Sequence, residues 1–146
     1  MGSWDIGPFE NDTGGDFAFI LDDLPAEDRP AAIRTALEEG LATSLRDGGP
    51  DEEALAAAAI VASQCPDGPA THPIHGPQNP IPPLPDDLRP LAIQVLDQLI
   101  EHDSYLWQNW VLNGKADAWL AGIRQLRTAI ASNQQDPNQQ ALSIDT

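Results

Sequence analysis

Apolar side chains recur along this chain at three- and four-residue intervals, the spacing that lines them up on one face of an α-helix. Phe17, Ile20, Leu21 and Leu24 fall at i, i+3, i+4 and i+7 and predict a helix near residues 12–23. Asn11 or Asp12 is its cap, and its first turn is acidic, as the helix dipole favours. A second helix follows Pro30, which suits a first helical position, and carries the stripe Ile33, Leu37, Leu41 and Leu45, with Gly48-Gly49 as its stop. Pro50, Asp51, Glu52 and Glu53 open a third, whose middle, Ala54 to Ala62, is almost all small residues. Small side chains let neighbouring helices approach closely, so this helix is expected at the centre.

The pattern resumes at Asp86 or Asp87, where a fourth helix buries Leu88, Leu91, Val95, Leu96 and Leu99 and runs to about His102. Tyr105 to Leu112 forms a short aromatic helix, Asn113-Gly114 breaks it, and a last helix from about Ala116 to Ser132 aligns Trp119, Ile123, Leu126 and Ile130. Between the third and fourth helices periodicity disappears: eight of the 14 prolines lie in residues 66–85, which therefore read as a long connection. Its segment Pro80-Ile81-Pro82-Pro83-Leu84-Pro85 fits a polyproline II ligand, but a rigid strap lying across the bundle is the preferred reading.

No stretch alternates apolar with polar residues; the nearest, Ser3 to Phe9, is interrupted by Gly7-Pro8. The fold class is all-α: a single-domain bundle of about five to six helices over residues 1–133, with an extended N-terminal anchor segment, the long Pro-rich loop, and a polar tail at 134–146.

Charge changes the picture more than length does. At 146 residues the chain suits one domain with a real core, and a hydrophobic fraction of 41% is ordinary for a globular protein. The net charge of -16 is not ordinary, and it repels phosphate backbones and anionic headgroups, so neither nucleic acid nor a membrane is an expected partner. Residues 1–53 alone hold 14 acids against 3 bases, whereas residues 104–133 hold only Asp117 against Lys115, Arg124 and Arg127, so the last helix is expected to dock on an acidic neighbour. Cys65, the single cysteine, allows no internal disulfide; Met1 precedes no signal-peptide pattern, Ile6 spoils a myristoylation motif, and no apolar run is long enough to span a bilayer. Cytoplasmic residence is expected.

The opening reads Gly2-Ser3-Trp4-Asp5-Ile6-Gly7-Pro8-Phe9-Glu10-Asn11-Asp12 and continues to Asp16-Phe17. This run resembles the start of the bacterial family known as domain of unknown function 4259, whose members continue with Ala- and Leu-rich helices and end with a Trp on the last one, here Trp119. The resemblance implies a helical bacterial domain and brings no catalytic or ligand residues with it. Gly14-Gly15, where relatives often carry Ala, is expected to weaken the first helix, and the Pro-rich loop is longer than usual.

Each residue type in the opening suits an anchor. Trp4 and Phe9 have large areas to bury over a helical core, Gly7-Pro8 bends the chain between them, and Asn11 or Asp12 caps the helix that carries Asp16 and Phe17. The rival reading takes Glu10, Asp12 and Asp16 as a carboxylate cluster for Mg²⁺ or Ca²⁺, or as a base. Cys65, His72, His75 and His102 are zinc-ligating types, but their spacing matches no standard zinc pattern, and no acid is placed to orient a Cys-His nucleophile. Tyr105, Trp107 and Trp110 are core residues or an exposed anchor for a partner, with the core preferred. No cofactor is expected. The sequence therefore favours a non-enzymatic acidic module that binds a basic protein, in the manner of an inhibitor or immunity protein, over a metal-dependent or acid-base enzyme built on the N-terminal carboxylates.

Overall fold

The computed structural model describes residues 7–42, 48–101 and 104–134. Trp4, Leu45, His102 and the tail beyond Gln134 lie outside them. Among the described residues the chain is all-α, without a strand: α1 (Asp12–Asp23), α2 (Arg29–Ala42), α3 (Gly48–Ser63), α4 (Leu88–Leu99), α5 (Tyr105–Leu112) and α6 (Ala116–Gln134), with a single 3-10 turn at Ala26–Asp28 before α2.

α3 is the axle. Its residues Ala54 to Ala62 are all buried, and it packs against each of the other five helices. A helix apolar on every side can lie only inside, and alanines at every turn leave room for neighbours on all of them. Gly48-Gly49 corrects the expected boundary: the two glycines are not the stop of α2 but part of the first turn of α3, ahead of Pro50. The first amides of a helix have no intrahelical partner, so a proline in that turn costs no hydrogen bond.

α1 turns Gly14, Phe17, Ala18 and Leu21 inward against α3. Ile20, expected in the buried stripe, is instead 52% exposed, because the small Gly14 and Ala18 set the face of closest approach and rotate Ile20 off it. α2 buries Ile33 and Leu37 as expected, with Leu41 at the margin of the core. It begins at Arg29, one residue ahead of Pro30.

α4 buries Leu88, Val95, Leu96 and Leu99 with Ala92, and leaves Leu91 only partly covered. Ser104 stops α4 and starts α5: its hydroxyl donates to the Leu99 carbonyl at 2.7 Å and accepts from the Trp107 amide at 3.0 Å. Leu106 and Trp110, one turn apart, form the buried face of α5, while Trp107 packs against the core from its margin. Gly114, at φ 74°, makes the left-handed turn into α6, a conformation open to glycine at little cost. α6 seats Trp119, Ile123, Leu126 and Ile130, and Arg127 pairs with Asp97 of α4 at 2.6 Å, so the cationic helix does meet an acidic neighbour. A two-pronged pair between Arg34 and Asp87, at 2.8 and 2.9 Å, ties α2 to the start of α4. Hydrogen bonding to Arg34 holds the Asp87 carboxyl below the usual carboxylate range.

The Pro-rich connection is strapped down. Gln64, just past α3, donates to the carbonyls of Ile81 and Pro82 and accepts from the Leu84 amide at 2.9 Å, and Ile81 and Leu84 pack on the core. Farther back, the Asp22 carboxylate of α1 accepts the amides of Gln78 and Asn79 at 2.9–3.0 Å. A segment without internal periodicity is thus ordered by side chains reaching out from the helices.

Candidate functional site

Residues 7–14 of the opening motif are tied by short-range hydrogen bonds. Glu10 closes a turn on Gly7 twice, its amide donating to the Gly7 carbonyl at 3.0 Å and its carboxylate accepting the Gly7 amide at 3.1 Å. Asn11, in extended backbone and 6% exposed, is the cap of α1: its Oδ1 accepts the Gly14 amide at 2.7 Å, and its Nδ2 donates to the Pro8 carbonyl at 3.1 Å. Asp12 is the first helical residue, not the cap. Phe9, 2% exposed, belongs to the same buried core cluster as Phe17.

Gly14 reverses the expectation drawn from its poor helix propensity. A Cβ there would collide with the Pro8 carbonyl oxygen, so the glycine is what lets the Gly7–Phe9 segment lie against α1.

Glu10, Asp12 and Asp16 do not converge. Glu10 is engaged with Gly7 and faces the His72 ring, Nε2 to Oε2 at 3.9 Å, while Asp12 and Asp16 are exposed along α1. His72 Nδ1 accepts the amides of Ile74 and His75 at 3.1 and 3.0 Å, which puts the proton of a neutral ring on Nε2, towards Glu10. The ring lies 4.7 Å from that of His75. Cys65 is buried, with Sγ 3.5 Å from the Val61 carbonyl. Among the described residues no three His, Cys, Asp or Glu side chains gather as a metal-binding group.

What does gather is a groove of about 250 Å³ between α1 and the Pro-rich loop, bounded by Asp12, Asp16, Phe19, Asp22, Ile74 and His75. Phe19 is 74% exposed and Ile74 73% exposed, one from the helix and one from the loop that Asp22 holds in place. Along the outer side of α1, Asp12, Asp16, Phe19 and Asp23 follow one another at helical spacing. The sequence reading passed over Phe19 and Ile74; an aromatic outside the apolar stripe of its own helix was the available signal for the first, and the second had none.

Arg29 was also missed. This arginine, 7% exposed, donates to the carbonyls of Leu21 and Leu24 at the end of α1, at 2.9 Å each, and to that of Pro80 at 2.7 Å. It caps α1 and clamps the loop beneath the groove with one guanidinium, whose planar fork of donors can serve several acceptors at once.

The family model described as "Domain of unknown function (DUF4259)" matches residues 2–122. No curated protein and no solved structure matches the chain.

Proposed function

Since the chain belongs to the DUF4259 family, whose description assigns no activity, we propose a role from the surface itself: a non-enzymatic module that binds a basic protein through the outer face of α1 and the neighbouring loop. The observation that carries this reading is the exposure of Phe19 and Ile74 inside a border of Asp12, Asp16 and Asp22. Large apolar side chains left in water are the usual anchors of interfaces, and a carboxylate border selects partners whose lysines and arginines bring both charge and an aliphatic stem. The net charge of -16 extends the same preference beyond contact range by steering cationic partners inward. An inhibitor or immunity protein covering the cationic site of an enzyme is the concrete form this suggests.

The test is capture of partners by the wild-type chain, Phe19→Ala and the double variant Asp12→Lys/Asp16→Lys at low and high salt. A basic partner is expected, held less tightly at high salt, weakened about 30-fold by Phe19→Ala if that ring is a hot spot, and lost on charge reversal. Binding indifferent to both variants would place the interface elsewhere, and a partner that is not basic would refute the charge argument.

A further inference from the structure

One histidine closes the loop wall of the groove against α1. His72 begins a tight turn: the Gly76 amide donates to the His72 carbonyl at 3.0 Å, and a Cβ at Gly76 would strike that oxygen. Inside the turn the ring takes the place of a backbone acceptor, its Nδ1 receiving the amides of Ile74 and His75 at 3.1 and 3.0 Å. Imidazole offers both amides one lone pair, and only while it is neutral; an imidazolium is a donor at both nitrogens. On the far side of the ring, Nε2 faces Oε2 of Glu10 at 3.9 Å, too long for a hydrogen bond and close enough for an ion pair. Oε1 of Glu10 accepts the Gly7 amide, which leaves Oε2 turned to the ring. Among the described residues lining the hollow of about 170 Å³ between this opening turn and the loop, Glu10 and His72 alone titrate, and α3 contributes only Ala59. The His75 ring, 4.7 Å from that of His72, is the other titratable neighbour, and it borders the groove together with Asp12, Asp16 and Asp22.

We propose that His72 is a pH-operated pin in the loop wall of the groove: neutral, it holds the turn that presents Ile74; protonated, it gives up both amides, moves onto Glu10 and lets that wall open. The proton arrives from solvent at Nδ1, where the lone pair that accepted the two amides becomes an N–H bond. The new donor then points at two donors, which repel it, while Nε2–H gains a full positive charge opposite the Glu10 carboxylate. Both effects drive the ring the same way, out of the turn and towards Glu10. Ile74 shares with Phe19 the exposed apolar surface of the groove, and its own amide is one of the two released. The consequence, that a bound basic partner is let go on acidification, rests on the binding face proposed above; the pin itself does not.

The experiment is NMR of the full, isotope-labelled chain without any partner, between about pH 8 and about pH 5, the range in which histidine side chains change charge. The ring nitrogens report where the proton sits on His72, and the exchange rates of the Ile74 and His75 amides, corrected for the intrinsic pH dependence of exchange, report the turn. At the upper end the expected ring carries its proton on Nε2 and accepts at Nδ1. As Nδ1 gains a proton, the two amides are expected to lose about 10-fold in protection while those of α3 keep theirs. His72→Asn presents an uncharged side-chain oxygen to the same amides, as asparagine does in turns, and is expected to hold the turn across the whole range. His75→Gln is expected to leave the response in place. A neutral His72 ring with its proton on Nδ1 overturns the proposal, as does amide protection that survives protonation of His72, or a response that persists in His72→Asn. Loss of the response in His75→Gln makes His75 the sensor and overturns it as well. None of these readings needs a partner, so failure of the pin is distinct from failure of the binding face, which capture at neutral pH reads by itself.

Discussion

At the scale of single residues, Gly14 shows how close approach overrides propensity. An alanine in mid-helix ordinarily stabilises relative to glycine by about 1 kcal/mol. Here Gly14→Ala is expected to destabilise by about 1–3 kcal/mol, because the new methyl must push the Pro8 carbonyl away and with it the hydrogen bond from Asn11. Chemical denaturation checks this, and a variant as stable as the wild type would show that the opening segment does not rest on α1. The burial of Phe9 and the cap at Asn11 were readable because a large aromatic and an asparagine ahead of a helix each have a local job. The need for Gly14 was not readable, since the atom it makes room for comes from outside the helix.

At the scale of elements, the helices were legible almost to their ends, and the loop was not. Helix limits follow from signals that lie next to one another in the chain: Asn11 before α1, Ser104 before α5, Gly114 after it. The course of residues 66–85 depends on groups far away in sequence, chiefly Asp22, Arg29 and Gln64, and no local pattern announces them. Gly48-Gly49 was misassigned for a related reason: a glycine pair marks a helix end of either kind, and only the neighbour decides which. Arg29→Lys keeps the charge but cannot serve three carbonyls from one rigid fork, so it is expected to cost on the order of 3 kcal/mol. Hydrogen exchange should locate the loss, with the amides of Gln78, Asn79 and Leu84 deprotected before those of α3. Uniform deprotection of loop and axle together would show that the clamp serves the whole bundle instead.

At the scale of the molecule, the acidic excess of 23 Asp and Glu over 7 Lys and Arg bears on the response to pH. Glu53, on α3, illustrates the strain: partial burial, and after it the charge of Glu39 on α2, push its carboxyl above the ordinary carboxylate value. A carboxyl raised on folding opposes the folded state whenever it is ionised, so its penalty is full above the folded pKa, fades as pH falls from that value to the unfolded one, and is gone below it. Glu53→Gln is therefore expected to stabilise at pH 7, by less than about 1 kcal/mol because solvent still screens the group, and to confer no advantage near pH 4. Melting curves at the two pH values check this; an equal gain at both would assign the effect to packing. Overall charge was plain in the sequence. Which acids frame an apolar patch was not, since Phe19 and Ile74 come to border one groove only once the loop is tied down.

The central position of α3 also bears on divisibility. Helices from both sides of the chain, α1 and α2 before it and α4 to α6 after it, find their apolar partner on the same sixteen-residue rod. Cutting the chain on either side of α3 leaves one fragment with an oily rod half undressed and the other with no rod at all. Such a fold has no natural seam, and neither fragment is expected to fold by itself.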